Sequence, residues 1–163
     1  VTFSSLNSTY GADYQHLQIR YVARTNRAVA FFDILAMEVN ADTTSGNYKW
    51  HSLVGDTTAV NSYNGSLSSA GLLAGDAASN NSIANAFSAN VVDILDPFNS
   101  SKNTTTRTLV ASPIATGLDQ QVALYSSVWL NTNAVTSLEL KPNSGSSFVQ
   151  YSRFSLYGLK ASA

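Results

Sequence analysis

Two histidines and ten acidic side chains are what this 163-residue chain offers for acid–base or metal chemistry. His16 and His51 each stand alone in strand-like sequence, so a three-ligand zinc site would need carboxylates from distant segments. The expectation for both is an exposed or hydrogen-bonded strand residue. Glycoside hydrolysis needs two carboxyl groups facing each other across a cleft. Asp33, Glu38, Asp93, Asp96 and Glu139 fall on expected strands, but a handful of strand acids is ordinary. Asp93 and Asp96, in VVDILDP, read as capping a strand end or forming turn bonds. The run DTTSGN from Asp42 to Asn47 has oxygen ligands and a glycine but lacks the acidic spacing and closing glutamate of a calcium loop; it reads as a turn. Serine is common, yet there is no G-x-S-x-G elbow. The expectation is a non-enzymatic protein with no catalytic residue, cofactor or metal.

The aromatic residues are the other group able to bind something. Trp50, Trp129 and the tyrosines could form a stacking platform for sugar rings. Trp129, in YSSVWLNT, is expected instead in the core at a strand end, with its indole N–H bonded locally. Five Asn-x-Ser/Thr matches, at Asn7, Asn64, Asn80, Asn99 and Asn103, are what chance supplies in a chain this rich in Asn, Ser and Thr.

The elements that would carry these residues read as strands. Tyr14 to Tyr21 alternates with period two and should turn Leu17, Ile19 and Tyr21 inward. Ala28 to Asn40 is rich in Val, Phe and Ile and reads as a long strand buried on both faces. Tyr48, Trp50 and Leu53 begin another. Val91, Val92, Ile94 and Leu95 mark a strand stopped by Pro97, which has no donor. Further strands follow over Arg107–Ile114, Gln120–Leu130, Ala134–Lys141 and Ser147–Lys160. The last alternates most clearly and is expected to be a long central strand that changes face near Tyr151 to Arg153. Gly158 marks either a close approach or the onset of a loop. Ala59 to Asn85 carries few apolar anchors and reads as long loops with a short strand or helical turn. The expected fold is all-β: an antiparallel, jelly-roll-like β-sandwich of about eight strands with long loops. Residues 1–13 read as an N-terminal arm and 14–163 as a single sandwich domain. The arm is either a frayed end or a reach toward a neighbouring subunit, with Phe3, Leu6 and Tyr10 as candidate inter-subunit or capsid contacts.

Composition bounds the function. Apolar residues make up 44% and there is no cysteine, so the core must rest on packing alone. Charged residues make up 12% and the net charge is -1, so the basic excess that phosphate neutralisation needs is missing and nucleic acid is not an expected partner. No apolar run approaches the roughly 20 residues of a membrane span. The opening VTFSSLNSTYG lacks the layout of a signal peptide. No membrane partner and no targeting are expected.

Five stretches in order, YQHLQIRYVAR (Tyr14 to Arg24), VNADTTSGNYKWHSLVG (Val39 to Gly55), VVDILDPFNSSKNTTTRTL (Val91 to Leu109), SSVWLNTNAVTSLEL (Ser126 to Leu140) and FVQYSRFSLYGLK (Phe148 to Lys160), carry a resemblance. The chain resembles the β-sandwich, jelly-roll-like structural proteins in the virions of tailed bacteriophages and cyanophages. The resemblance implies a capsid decoration or cement protein that binds the major capsid protein, as a homotrimer at local three-fold positions. It implies a place on the virion's capsid surface after synthesis in the host cytoplasm, and it transfers no catalytic residue. The alternative is a receptor- or glycan-binding tail or spike module, in which the 59–85 loop and exposed aromatics such as Trp50 or Tyr63 contact a host surface glycan.

Overall fold

The computed structural model describes residues 1–56, 58–113 and 120–160. Its strands are β1 (Thr2–Phe3), β2 (His16–Ala23), β3 (Phe32–Val39), β4 (Tyr48–Gly55), β5 (Val60–Gly65), β6 (Leu72–Ala78), β7 (Ser88–Leu95), β8 (Thr104–Pro113), β9 (Gln120–Trp129), β10 (Leu138–Pro142) and β11 (Arg153–Leu159), joined by a short α-helix, α1 (Leu6–Tyr10), and a 3-10 turn over Ser45–Asn47. They form two antiparallel sheets, one in the order β1-β10-β3-β6 and one in the order β11-β2-β7-β8-β9-β4-β5. The protein is an all-β sandwich.

The alternation from Tyr14 onward places Leu17, Ile19, Tyr21 and Ala23 in the core. β3 is buried along both faces from Leu35 to Val39. One face, with Leu35, Met37 and Val39, packs in a cluster with Leu17, Ile19, Val92 and Ile94. The other, with Ile34 and Ala36, joins a second cluster with Leu73, Val110, Ala123 and Tyr125. β6 is buried throughout and touches β2, β4, β7, β8 and β9. The wide sheet therefore curls around the edge of the narrow one.

Three expectations need correcting. Residues 1–13 are no free arm: β1 pairs with β10, the Leu6 N–H donates to the Thr136 carbonyl, and Leu6 is 1% exposed. Leu6 fills the core, which removes it as a subunit contact. The segment 59–85 holds β5 and β6 rather than long loops. Its LLAGDAA run lacks the β-branched residues that announce a strand, because small side chains are what fit between two sheets. Gly75 (φ +128°) sits at the β3–β6 irregularity, where a Cβ would lie 2.3 Å from the Tyr21 hydroxyl. Only glycine allows that approach. Finally, the C-terminal strand is an edge strand paired with β2. The backbone does turn at Tyr151, which has φ +73° between the Thr25–Phe148 bridge and the first β11 pair, Arg153–Val22. The expected change of face is absent, since Phe148, Phe154 and Leu156, all of one parity, pack against the same core cluster. Gly158 marks a close approach, since a Cβ there would lie 2.4 Å from the Tyr14 ring.

Candidate functional site

In a strand with one buried face, apolar residues ordinarily point in and polar residues out. β8 and β9 depart from this. Their inward positions include Thr104, Thr106, Thr108, Gln121 and Ser127, all buried, while Leu109, Val122 and Leu124 point outward. Register extends the outward residues into two rows across the wide sheet. One runs Val91, Leu109, Leu124, Leu53; the next runs Val22, Ala89, Ala111, Val122 and Gly55, with Val60 beside it. Val122 is 61% exposed and Leu109 is 56% exposed. Contiguous apolar surface of this kind marks an interaction site, whereas scattered single residues do not.

Polar groups flank the block. Arg20 and Arg153 sit at its β2–β11 side, around a shallow groove of about 390 Å³ over Val22, Ala89, Leu109 and Ala111. The next row is Gln18, Asp93, Arg107, Ser126 and His51. Asp93 accepts from Gln18 at 2.7 Å and from Arg107 at 2.8 Å. Burial acts to raise the Asp93 pKa, but these bonds outweigh it and hold the carboxyl below its usual value. Arg20 donates to Gln18 and lies 5.3 Å over the Tyr157 ring. An apolar centre with a hydrogen-bonded polar rim is the anatomy of a protein interface.

The other face of β4 and β9 is concave. Ser52 stands in register between Tyr63 on β5 and Tyr125 on β9, and this small residue between two large rings leaves a cleft of about 770 Å³. Phe32, Ile34 and Leu73 form its far wall, and Trp50, Val54, Asp56, Ser62, Asn64 and Gln121 also border it. Trp50 lies over its cross-strand partner Gly65, where a Cβ would sit 3.3 Å from the ring. Its buried indole N–H has no partner among the described residues.

Behind the cleft floor is a polar knot. Tyr125 donates to Asp76 at 3.0 Å and Gln121 donates to Asp76 at 2.9 Å. The Asp76 backbone is held on both sides by the Asn90 side chain. Asp76 is fully buried, and this burial, aided by nearby Asp33 and opposed by the Tyr125 bond, pushes its pKa up to about 7. Burial and the Asp76 charge together raise the Tyr125 pKa.

The residues picked from sequence lie elsewhere. Phe3 packs against the core and Tyr10 is partly exposed beside Tyr14. His16 Nδ1 accepts from the Asp96 N–H, and Asp96 also pairs with Lys102. Asp33 accepts from the backbone of Ser144 and Gly145 and from Thr25. Glu38 pairs with Lys141 and stands in register with Glu139. None of these five candidate acids lines the cleft. Asp42 does form a turn: its Oδ1 accepts from the Thr44 N–H, and its Oδ2 accepts from both the Asn47 amide and the Trp129 indole N–H, the latter at 2.8 Å. Trp129 is a core residue bonded locally, as its sequence context indicates. Trp50 and Tyr63 do meet, at the cleft. Asp76, Gln121 and Tyr125 were not singled out from sequence. The available signal was an acid set among small apolar residues in LLAGDAA.

Compared with protein-family models, with curated proteins and with solved structures, the chain has no match.

Proposed function

We propose that this chain is a structural protein of a virion, a capsid decoration protein that seats the outer face of its seven-stranded sheet on the major capsid protein. The observation that carries the docking role is the apolar block formed by Val22, Leu53, Leu109, Val122 and Leu124 in adjacent register rows. The identity of the partner follows from the resemblance to phage structural proteins.

The energetics favour docking in many copies. Covering these half-exposed side chains returns on the order of 5 kcal/mol, which association entropy largely offsets for one isolated copy. A homotrimer presents three such faces at once, and linked contacts bind far more tightly than single ones. A shell with three-fold positions suits that arrangement. The low charge of the chain keeps repulsion between neighbouring copies small.

The test is co-sedimentation with undecorated capsids of a tailed phage, alongside mass measurement in solution. Saturable binding that is lost in Leu109→Asp and Leu124→Asp is expected. A monomeric mass together with no capsid binding overturns the reading.

A further inference from the structure

We infer that the cleft between the β4–β5 hairpin and β3 binds a neutral saccharide. Its occupant is independent of the docking face, because the cleft is built from the opposite side of β4 and β9.

The lining disfavours charged ligands. No Lys, Arg or His borders the cleft among the described residues, so an anionic ligand would meet no counter-charge. Asp56 is the one charged group there among the described residues. Its Oδ1 accepts from the Thr58 N–H, the Thr58 hydroxyl and the Ala59 N–H, so it is committed to a turn. That leaves a weak anchor for an ammonium ligand, whose binding would need charge as well as aromatic faces. What the cleft offers a neutral ligand is aromatic surface from Trp50 and Tyr63 above the buried Tyr125 ring, beside the Ser52 hydroxyl and the polar residues Ser62 and Asn64. Flat apolar faces next to hydroxyl and amide groups match the alternating C–H and O–H surfaces of a sugar ring. The volume, about 770 Å³, lies within the usual range of ligand pockets.

Trp50 offers a test of a purely structural reading. Packing over Gly65 requires only a flat ring, yet the residue is an indole whose buried N–H lacks a partner among the described residues. Phenylalanine would make the same contact without an unmet donor. A purely structural role therefore predicts that Trp50→Phe leaves stability equal or higher and changes nothing else. A binding role predicts a loss of affinity.

The experiment titrates the full chain with cellohexaose, maltohexaose and chitohexaose, and with choline as a cationic control, following tryptophan fluorescence and backbone amide shifts. Expected is saturable binding of at least one oligosaccharide, with shifts confined to the cleft-lining residues of β3, β4, β5, β6 and β9. Tyr63→Ala, at a half-exposed position that the core does not need, weakens it about tenfold or more at an unchanged melting temperature. Trp50→Phe also weakens it while the fold is kept. Absence of binding by all three sugars at millimolar concentration, response to choline alone, or affinity untouched by both substitutions overturns the inference. The same variants leave capsid co-sedimentation unchanged, so failure here is distinct from failure of the docking role.

Discussion

Leu124 and Tyr125 are neighbours on β9 with opposite fates. Leu124 points out of the wide sheet into the apolar block, 46% exposed, while Tyr125 points in and gives its hydroxyl to buried Asp76. The same contrast separates Leu53 from Ser52 on β4. Solvation alone favours the reverse arrangement. A sheet that exposes leucine and valine on one face while burying serine, threonine and glutamine on the other gives up stability as a free molecule. The outer face recovers that loss when something covers it, and the inner face recovers part of it through hydrogen bonds.

Substitutions on the two faces sharpen this contrast. The largest difference is expected between the neighbours themselves. Tyr125→Ala removes a buried ring and costs about 3–5 kcal/mol. Leu124→Asp changes stability by about 0.5 kcal/mol or less while abolishing assembly. Chemical denaturation read beside capsid binding separates the two. Equal destabilisation by both would erase the distinction between the faces.

Asp76 comes next. The folded-state pKa of about 7 lies above the ordinary 3.8, so between those values the folded protein holds a proton that the unfolded chain has released. The contribution of this group is therefore fully present below about pH 4 and is lost as pH rises toward 7, by roughly 4 kcal/mol. Asp76→Asn should flatten that fall and be more stable than the parent at pH 8, as measured by thermal melts at pH 5 and 8. A parent whose stability rises over that window and is unaffected by the substitution would contradict the burial argument.

At the far end of β9 the sign reverses. The Asn47 amide bond, joined by those from Trp129 and Thr44, lowers the Asp42 pKa to about 2 against the opposing effect of burial. Its contribution is present above about pH 4 and is lost as pH falls through 2. Asp42→Ala leaves the buried Trp129 N–H without its acceptor and should cost about 1–3 kcal/mol, seen as a lower denaturation midpoint and a weaker acid dependence near pH 3.

The smallest expected effect concerns the hydroxyls of Thr106 and Thr108, which are buried without partners among the described residues. Thr108→Val should raise stability by about 1 kcal/mol in the same denaturation assay. A loss of that size would instead indicate that the hydroxyl is bonded.

The legibility of the fold varied with the kind of residue involved. Where side chains are large and alternate, as from His16 to Ala23, both strand and inward face could be read. The Asp42 turn and the core position of Trp129 were also readable, because Asp, Gly and Asn signal turns and tryptophan carries a large apolar ring. The 59–85 segment was not readable, since β6 is made of Ala, Gly, Leu and Asp, whose strand conformation comes from its neighbours. On β9 the alternatives were Val122 and Leu124 or Ala123 and Tyr125 as the inner set, and hydrophobicity does not separate them.

By itself the sequence determined the class: an all-β sandwich without cysteine, with little charge and with two aromatic residues, Trp50 and Tyr63, suited to stacking. Tertiary structure decided which face of each strand was buried, because a curled sheet closing around β6 leaves room for Ala123 and places Tyr125 beside Asp76. It also brought Trp50, Tyr63 and Tyr125 to one cleft from three strands, since pairing across a sheet joins residues far apart in the chain.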